Sequence, residues 1–143
     1  YPVFAALLAD VERAVGRPLK NRGEAHITVI TPPEWAILGR KIRGDEIGAY
    51  FEENLYQTSV YEPVCVGRAS IMGMSTYFVV VKAPKLLKFR REIARIFELR
   101  GGQPGLFNPE KYAPHITLGF TDRDLHEQDG AIKNESSCWL DWN

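Results

Sequence analysis

Two of the chain's three histidines sit in one repeated setting, Ala25-His26-Ile27-Thr28-Val29 and Pro114-His115-Ile116-Thr117-Leu118. In an extended strand alternate side chains share a face, so His and Thr at i and i+2 project together while the aliphatic residues pack beneath. Each stretch then offers one imidazole and one hydroxyl side by side. With an unperturbed pKa of about 6.5, one imidazole can accept a proton near neutrality while its partner donates one. The pair suits a group attacked on one side and left from the other, whose remaining oxygens want hydrogen-bond donors. In-line transfer at phosphorus has that geometry. The candidate catalytic residues are therefore His26, His115, Thr28 and Thr117, the imidazoles moving protons and the hydroxyls binding oxygens.

The likeness of the two stretches continues downstream. His26-Ile-Thr-Val-Ile leads into Thr31-Pro32-Pro33-Glu34, and His115-Ile-Thr-Leu-Gly-Phe leads into Thr121-Asp122-Arg123-Asp124. Thr31 with Glu34 predicts a capping box with proline at the first helical position, and Thr121 with Asp124 a weaker version. The second copy holds one extra residue, Gly119 or Phe120. The pattern reads as an internal duplication in which each half runs from an active strand into a short helix.

The two His-x-Thr-x strings resemble the paired motifs of the two-histidine (2H) phosphoesterase superfamily. The longer strings, Gly-Glu-Ala-His-Ile-Thr-Val-Ile-Thr-Pro-Pro-Glu and Pro-His-Ile-Thr-Leu-Gly-Phe-Thr-Asp-Arg-Asp-Leu-His, look most like its RNA-repair-associated "Swiss army knife" branch. The resemblance implies a single domain over residues 1–143 with a bilobal, pseudo-symmetric α+β fold, antiparallel sheets and flanking helices around a central cleft. It also implies metal-independent opening of 2′,3′-cyclic phosphates at RNA or nucleotide ends, commonly to a 2′-phosphate, with no cofactor. By analogy His115 is the base that activates water and His26 the acid that protonates the leaving oxygen, although the internal symmetry leaves these roles exchangeable. Relatives act on other phosphodiesters too, including 2′-5′ linkages and ADP-ribose cyclic phosphate.

Composition bounds the substrate. The chain has 143 residues, 45% of them apolar and 25% charged, as in an ordinary soluble protein long enough for a real core. Its 18 basic residues balance its 18 acidic ones, which argues against broad electrostatic binding to long nucleic acid and leaves RNA ends or cyclic nucleotides as partners. No run of about 18 apolar residues exists to span a membrane. Cys65 and Cys138 lack the spacing of a zinc ribbon or redox motif and are expected to stay reduced, a disulfide between them being the alternative. A monomer inside the cell is the expectation.

Hydrophobic spacing places the elements around the two motifs. Residues 2 to 15 carry a helical pattern stopped by Gly16, and residues 24 to 30 form the first active strand. Helices follow from Thr31, through Trp35, Ile37 and Leu38, ending near Gly39 to Gly44, and from Asp45 through Ile47, Tyr50, Phe51 and Leu55. Strands over residues 60 to 71 and 75 to 82 meet at a turn around Gly73. The second of these, nearly continuous apolar sequence, should lie centrally in its sheet. Lys85 to Arg100 is amphipathic, and seven Lys or Arg between Lys82 and Arg100 offer a track for a phosphate backbone, with solubility as the simpler use. The Gly- and Pro-rich loop over residues 101 to 110 carries Phe107, an aromatic of the kind that borders sites. A polar tail closes with Trp139, Leu140 and Trp142, expected to dock on the core.

The candidate substrate-binding residues are Tyr77, whose hydroxyl could reach the site, Tyr112 and Phe120, which bracket the second motif and could stack on a base, Trp35, and Arg22 at the entry to the first motif. Two rival functions remain. A metal hydrolase would gather His26, His115 and His126, yet His-x-Thr lacks the ligand spacing of zinc sites. A non-catalytic module would bind nucleotides or RNA ends without turnover.

Overall fold

Period-2 and helical patterns of apolar residues build, among the described residues, one four-stranded antiparallel sheet and four α-helices. The computed structural model describes residues 2–54 and 61–142. The expected contribution of Leu55 to a helix and of residue 60 to a strand lies outside them. The chain separates into two compact units, between which it passes four times, at residues 27/28, 62/63, 82/83 and 112/113.

The first unit takes the chain up to Ile27, Pro63–Lys82 and the chain from Ala113 on. It holds helix α1 (Pro2–Val15) and strands β1 (Glu62–Ile71), β2 (Met74–Lys82), β3 (His115–Phe120) and β4 (Cys138–Asp141), in the order β3-β2-β1-β4. β1 and β2 are joined through Met72 and Gly73, both at positive φ (53° and 79°), the backbone that a two-residue hairpin needs to match strand twist. Thr76 to Val81 are buried on both faces of β2, as its unbroken apolar run predicts for an inner strand. On one face Leu8 and Val11 of α1 are buried and α1 packs against β3. A Cβ on Gly119 would come within 3.0 Å of the Lys20 carbonyl oxygen and 3.1 Å of Leu8 Cδ1, so glycine eases this close approach.

Several expectations are corrected in this unit. The extra residue of the second motif appears as a bulge at Leu118, because Tyr77 faces Gly119 while Phe78 already faces Thr117. No α-helix is capped by Thr121. Its hydroxyl instead turns to Asp122, and Asp124 is drawn to Thr76 and Lys133. The cysteines are not free: Cys65 and Cys138 form a disulfide between β1 and β4, their Cα atoms 5.7 Å apart. Of the closing aromatic segment only Trp139 packs, against the Tyr77 ring (centroids 5.3 Å apart), while Leu140 and Trp142 stay exposed.

The second unit comprises Thr28–Glu62 and Ala83–Tyr112. Its helices are α2 (Pro32–Leu38), α3 (Gly44–Glu53) and α4 (Pro84–Leu99). The predicted capping box forms: the Thr31 hydroxyl accepts from the Glu34 amide, and the Glu34 carboxylate accepts from the Thr31 amide. Leu38, Ile47, Phe89, Ile93 and Phe97 close a shared core to which Phe107 contributes, so Phe107 is an interior residue and not the border of a site. On the basic stretch of α4 three exposed arginines are paired. Arg91 pairs with Glu110, Arg95 with Glu92 and Arg100 with Glu46. Arg90 is fully buried. Its guanidinium grips both oxygens of Glu34 (2.7 and 2.8 Å) and donates to the carbonyls of Val29, Asn108, Pro109 and Lys111, with the rings of Phe107 and Tyr112 against it. A buried charge persists only when its donors are this completely matched. Among the described residues no helix is long and apolar enough to cross a membrane.

Candidate active site

β3 presents the second motif as alternation dictates. Ile116 and Leu118 are buried, while His115 and Thr117 lie half-buried on the other face. The first motif is held differently. Residues 24 to 30 do not form a strand; Ile27 alone pairs, in an antiparallel bridge with Ile116. The reason is local crowding. The Asn21 side chain accepts from the Gly23 amide in a tight turn on one side, and the α2 cap with its two prolines begins at Thr31 on the other.

That one bridge sets Ile27 opposite Ile116, so the stretch carrying His26 passes alongside the strand carrying His115 and Thr117 at this point. His26 is half exposed, with the Glu24 carboxylate 3.5 Å from its Nδ1.

His115 is defined by its surroundings. Its Nδ1 lies 2.8 Å from the Ala113 carbonyl oxygen. A carbonyl can only accept, so Nδ1 carries the proton and Nε2 keeps a free lone pair. Burial above all, then the positive charge of Lys133, pushes the ring down to about 4, against the opposing pull of the Ala113 carbonyl and Asp124. The ring is therefore neutral at physiological pH, a proton acceptor. Phe78 stands edge-on to it, centroids 5.7 Å apart.

Behind this pair lies a polar group that sequence reading missed. The Lys133 ammonium is buried 5.6 Å over the Phe78 ring and 3.1 Å from Asp124, whose same carboxylate oxygen accepts the Thr76 hydroxyl at 2.7 Å. Burial raises Asp124, but Thr76 and Lys133 outweigh it and hold the carboxyl below its usual range. Lys133 sits in a stretch that reads as solvated tail, and Asp124 in one that reads as a helix cap. No local signal marks either residue.

The remaining expected residues divide. Arg22 is exposed, and its charge disfavours the Lys133 ammonium. Tyr77 is corrected: it is buried against Trp139 and, as the neighbour of Phe78 on β2, faces away from His115 and Thr117. Phe120 pairs through its backbone with Lys20 at the end of β3.

In the second unit, the Tyr112 hydroxyl donates to the Thr28 carbonyl oxygen at 2.9 Å, and burial raises that phenol well above its ordinary value. The guanidinium of Arg90 lies 4.5 Å from the Tyr112 ring centroid, so this residue buttresses the Thr28 backbone. Thr28 and Trp35 line a cavity of about 350 Å³ with Ile47, Phe51, Glu52 and Phe89. His126 opens a short 3₁₀ turn over Glu127–Asp129. Among the described residues no three His, Cys, Asp or Glu side chains converge as metal ligands.

A neutral imidazole with a free Nε2 can accept a proton, and a second, half-exposed imidazole precedes the residue that bridges to Ile116. Comparison with known families gives a match to the Swiss Army Knife, 2H phosphoesterase domain over residues 3–126. No curated protein and no solved structure matches the chain.

Proposed function

The chain belongs to the Swiss Army Knife family of 2H phosphoesterase domains, and from that premise we propose that it opens 2′,3′-cyclic phosphates at RNA ends or on nucleotides, leaving a 2′-phosphate. Family membership implies a phosphoester hydrolase. The observation that supports the finer reading is the Ile27–Ile116 bridge, which ties the first His-x-Thr stretch to the strand that carries the second.

In the proposed step His115 Nε2 takes a proton from water as the water oxygen bonds to phosphorus. The bond from phosphorus to the 3′ oxygen breaks, and His26 gives that oxygen a proton. Each proton transfer contributes roughly 10²–10⁴-fold. The neutral, Nδ1-protonated state of His115 supports its assignment as base. The hydroxyls of Thr117 and Thr28 are assigned to the non-bridging oxygens, where preorganised donors stabilise developing charge. No metal or cofactor enters the step. Arg22 is assigned to the substrate's phosphate, and the balanced overall charge favours short RNA ends or mononucleotides, bound by a monomer. The Cys65–Cys138 disulfide favours an oxidising compartment over the reducing one expected from the cysteine count.

The test is turnover of 2′,3′-cyclic mononucleotides and a cyclic-phosphate-ended oligoribonucleotide, with the product identified as 2′- or 3′-phosphate and a chelator in a parallel arm. Chelator-resistant release of a 2′-phosphate is expected. Binding without turnover would replace the enzyme by the non-catalytic module, and loss of activity on chelation would restore the metal hydrolase.

A further inference from the structure

Two residues on the wall of the second unit's cavity weaken the helix that carries them. Gly48 stands in the interior of α3, where glycine destabilises a helix relative to alanine. Close packing does not demand it, because a Cβ there would meet no atom of the described residues within 4 Å. Glu52, one helical turn on, puts a negative charge in the last turn of α3, where the helix dipole opposes it and no basic side chain offsets it. Spaced i, i+4, the two share a face of α3, and both line the cavity of about 350 Å³. Residue choices that lower stability along a concave wall are those a binding site makes.

The lining limits the occupant. Ile47, Phe51 and Phe89 make the walls apolar, the two phenyl rings meeting edge-on with centroids 5.0 Å apart, and Trp35 leaves 40% of its surface open. Among the described residues that line the cavity, Glu52 is the one charged side chain, so no basic group there would hold a phosphate. A fitting ligand is apolar on its flat faces and carries N–H donors along one edge. The cavity's volume lies within the range of small-molecule sites, about 300–1,000 Å³. Thr28, the hydroxyl residue of the first motif, also lines it.

We propose that this cavity is a nucleobase subsite for guanine, with the base stacked on Trp35 and its N1–H and N2–H donated to the Glu52 carboxylate. Of the four RNA bases only guanine presents two adjacent N–H donors on its pairing edge, a match for the two oxygens of a carboxylate. Uracil presents one N–H between two carbonyl oxygens, which a carboxylate repels. The inference rests on the phosphodiesterase reading for its place in a reaction, since Thr28 belongs both to this wall and to the motif assigned to the phosphate, but not for its test.

The experiment follows the Trp35 indole N–H by NMR as guanosine or uridine is added to the wild-type protein, to Glu52→Gln and to Gly48→Leu. In parallel, kcat/KM is compared for the 2′,3′-cyclic phosphates of guanosine and uridine. Guanosine should shift the Trp35 resonance and uridine much less. Glu52→Gln should lower the preference for guanine over uracil about tenfold or more. Gly48→Leu fills the cavity from a position with room for a side chain and should abolish the guanosine shift. Both variants should unfold at no lower temperature than the wild-type protein, because each removes a residue that weakens α3. An unmoved Trp35 resonance, or equal responses to guanosine and uridine, overturns the inference. Guanosine binding in a protein that opens no cyclic phosphate would uphold the subsite and sink the proposed reaction, whereas turnover without base preference would do the reverse.

Discussion

Ile27 and Ile116 face each other across an antiparallel bridge, and neither does any chemistry. Their pairing ties the stretch that carries His26 to the strand that carries His115 and Thr117. The first prediction follows from this dependence.

His26→Ala and His115→Ala should each lower kcat at least 10²-fold on a 2′,3′-cyclic mononucleotide, and the double variant should fall far short of the product of the two losses. Thr117→Val should cost on the order of 10²-fold through the lost oxygen donor. Steady-state kinetics on folded variants decides. Full turnover by either histidine variant would remove both imidazoles from the mechanism.

The pH profile has a defined sign. A base works only when unprotonated, and His115 is held down to about 4, mainly by burial. The rate should therefore persist well below the ordinary histidine value of 6.5 and fall only as pH drops through about 4. A profile of kcat/KM measured from pH 3 to pH 9 reads this limb directly. An acidic limb at 6.5 would contradict the buried, neutral base.

Gly67 on β1 leaves room for the Phe78 ring. A Cβ there would sit 2.3 Å from Phe78 Cε2, inside any tolerable contact. Gly67→Ala must displace that ring, and with it the surface against which His115 stands. The variant should lose about 1–3 kcal/mol of stability by overpacking. It should also lose catalytic rate with less change in KM, as urea unfolding and steady-state kinetics would show.

Arg90 should be the most sensitive position of the second unit. Arg90→Met leaves the Glu34 carboxylate and four carbonyls without their donor, a loss of roughly 3–5 kcal/mol. Glu34 also gives an acid signature. Burial raises its carboxyl, but Arg90 and Thr31 outweigh this and hold it below 4.5. A depressed carboxyl contributes stability above the unfolded value, and that contribution is lost as pH falls from about 4.5 through the folded value. Denaturation midpoints in the wild-type protein should drop across that window, and those of Glu34→Gln should drop less.

Reduction of the Cys65–Cys138 bridge, which closes a span of 73 residues, should cost roughly 3–5 kcal/mol on loop-closure grounds. Thermal unfolding with and without a reductant measures it. An unchanged midpoint would mean that β4 holds to β1 without the bridge.

What the sequence made legible was whatever is decided within a few residues. The Thr31–Glu34 box, the Gly73 turn and the double-sided burial of β2 each depend on neighbours in the chain. The failures share one cause. Thr76 finds Asp124 at a separation of 48 residues and Arg90 finds Glu34 at 56, so no local pattern distinguishes these side chains from solvated ones. The first motif misled in a subtler way. Its alternation is that of a strand, but a tight turn at Asn21–Gly23 and the prolines after Thr31 leave the backbone room for a single bridge. The same constraint explains why the two copies, alike in letters, are built differently.

The grip of Arg90 reaches two peptides far apart in the chain, one just after Thr28 and the other just before Ala113. One rigid fork thus acts as a gauge block, setting the distance between those two stretches of the second unit. Lysine keeps the charge but not the five fixed donors, so Arg90→Lys would detune that spacing without erasing the ion pair. The calibration of the unit is thereby lodged in a side chain that never meets solvent.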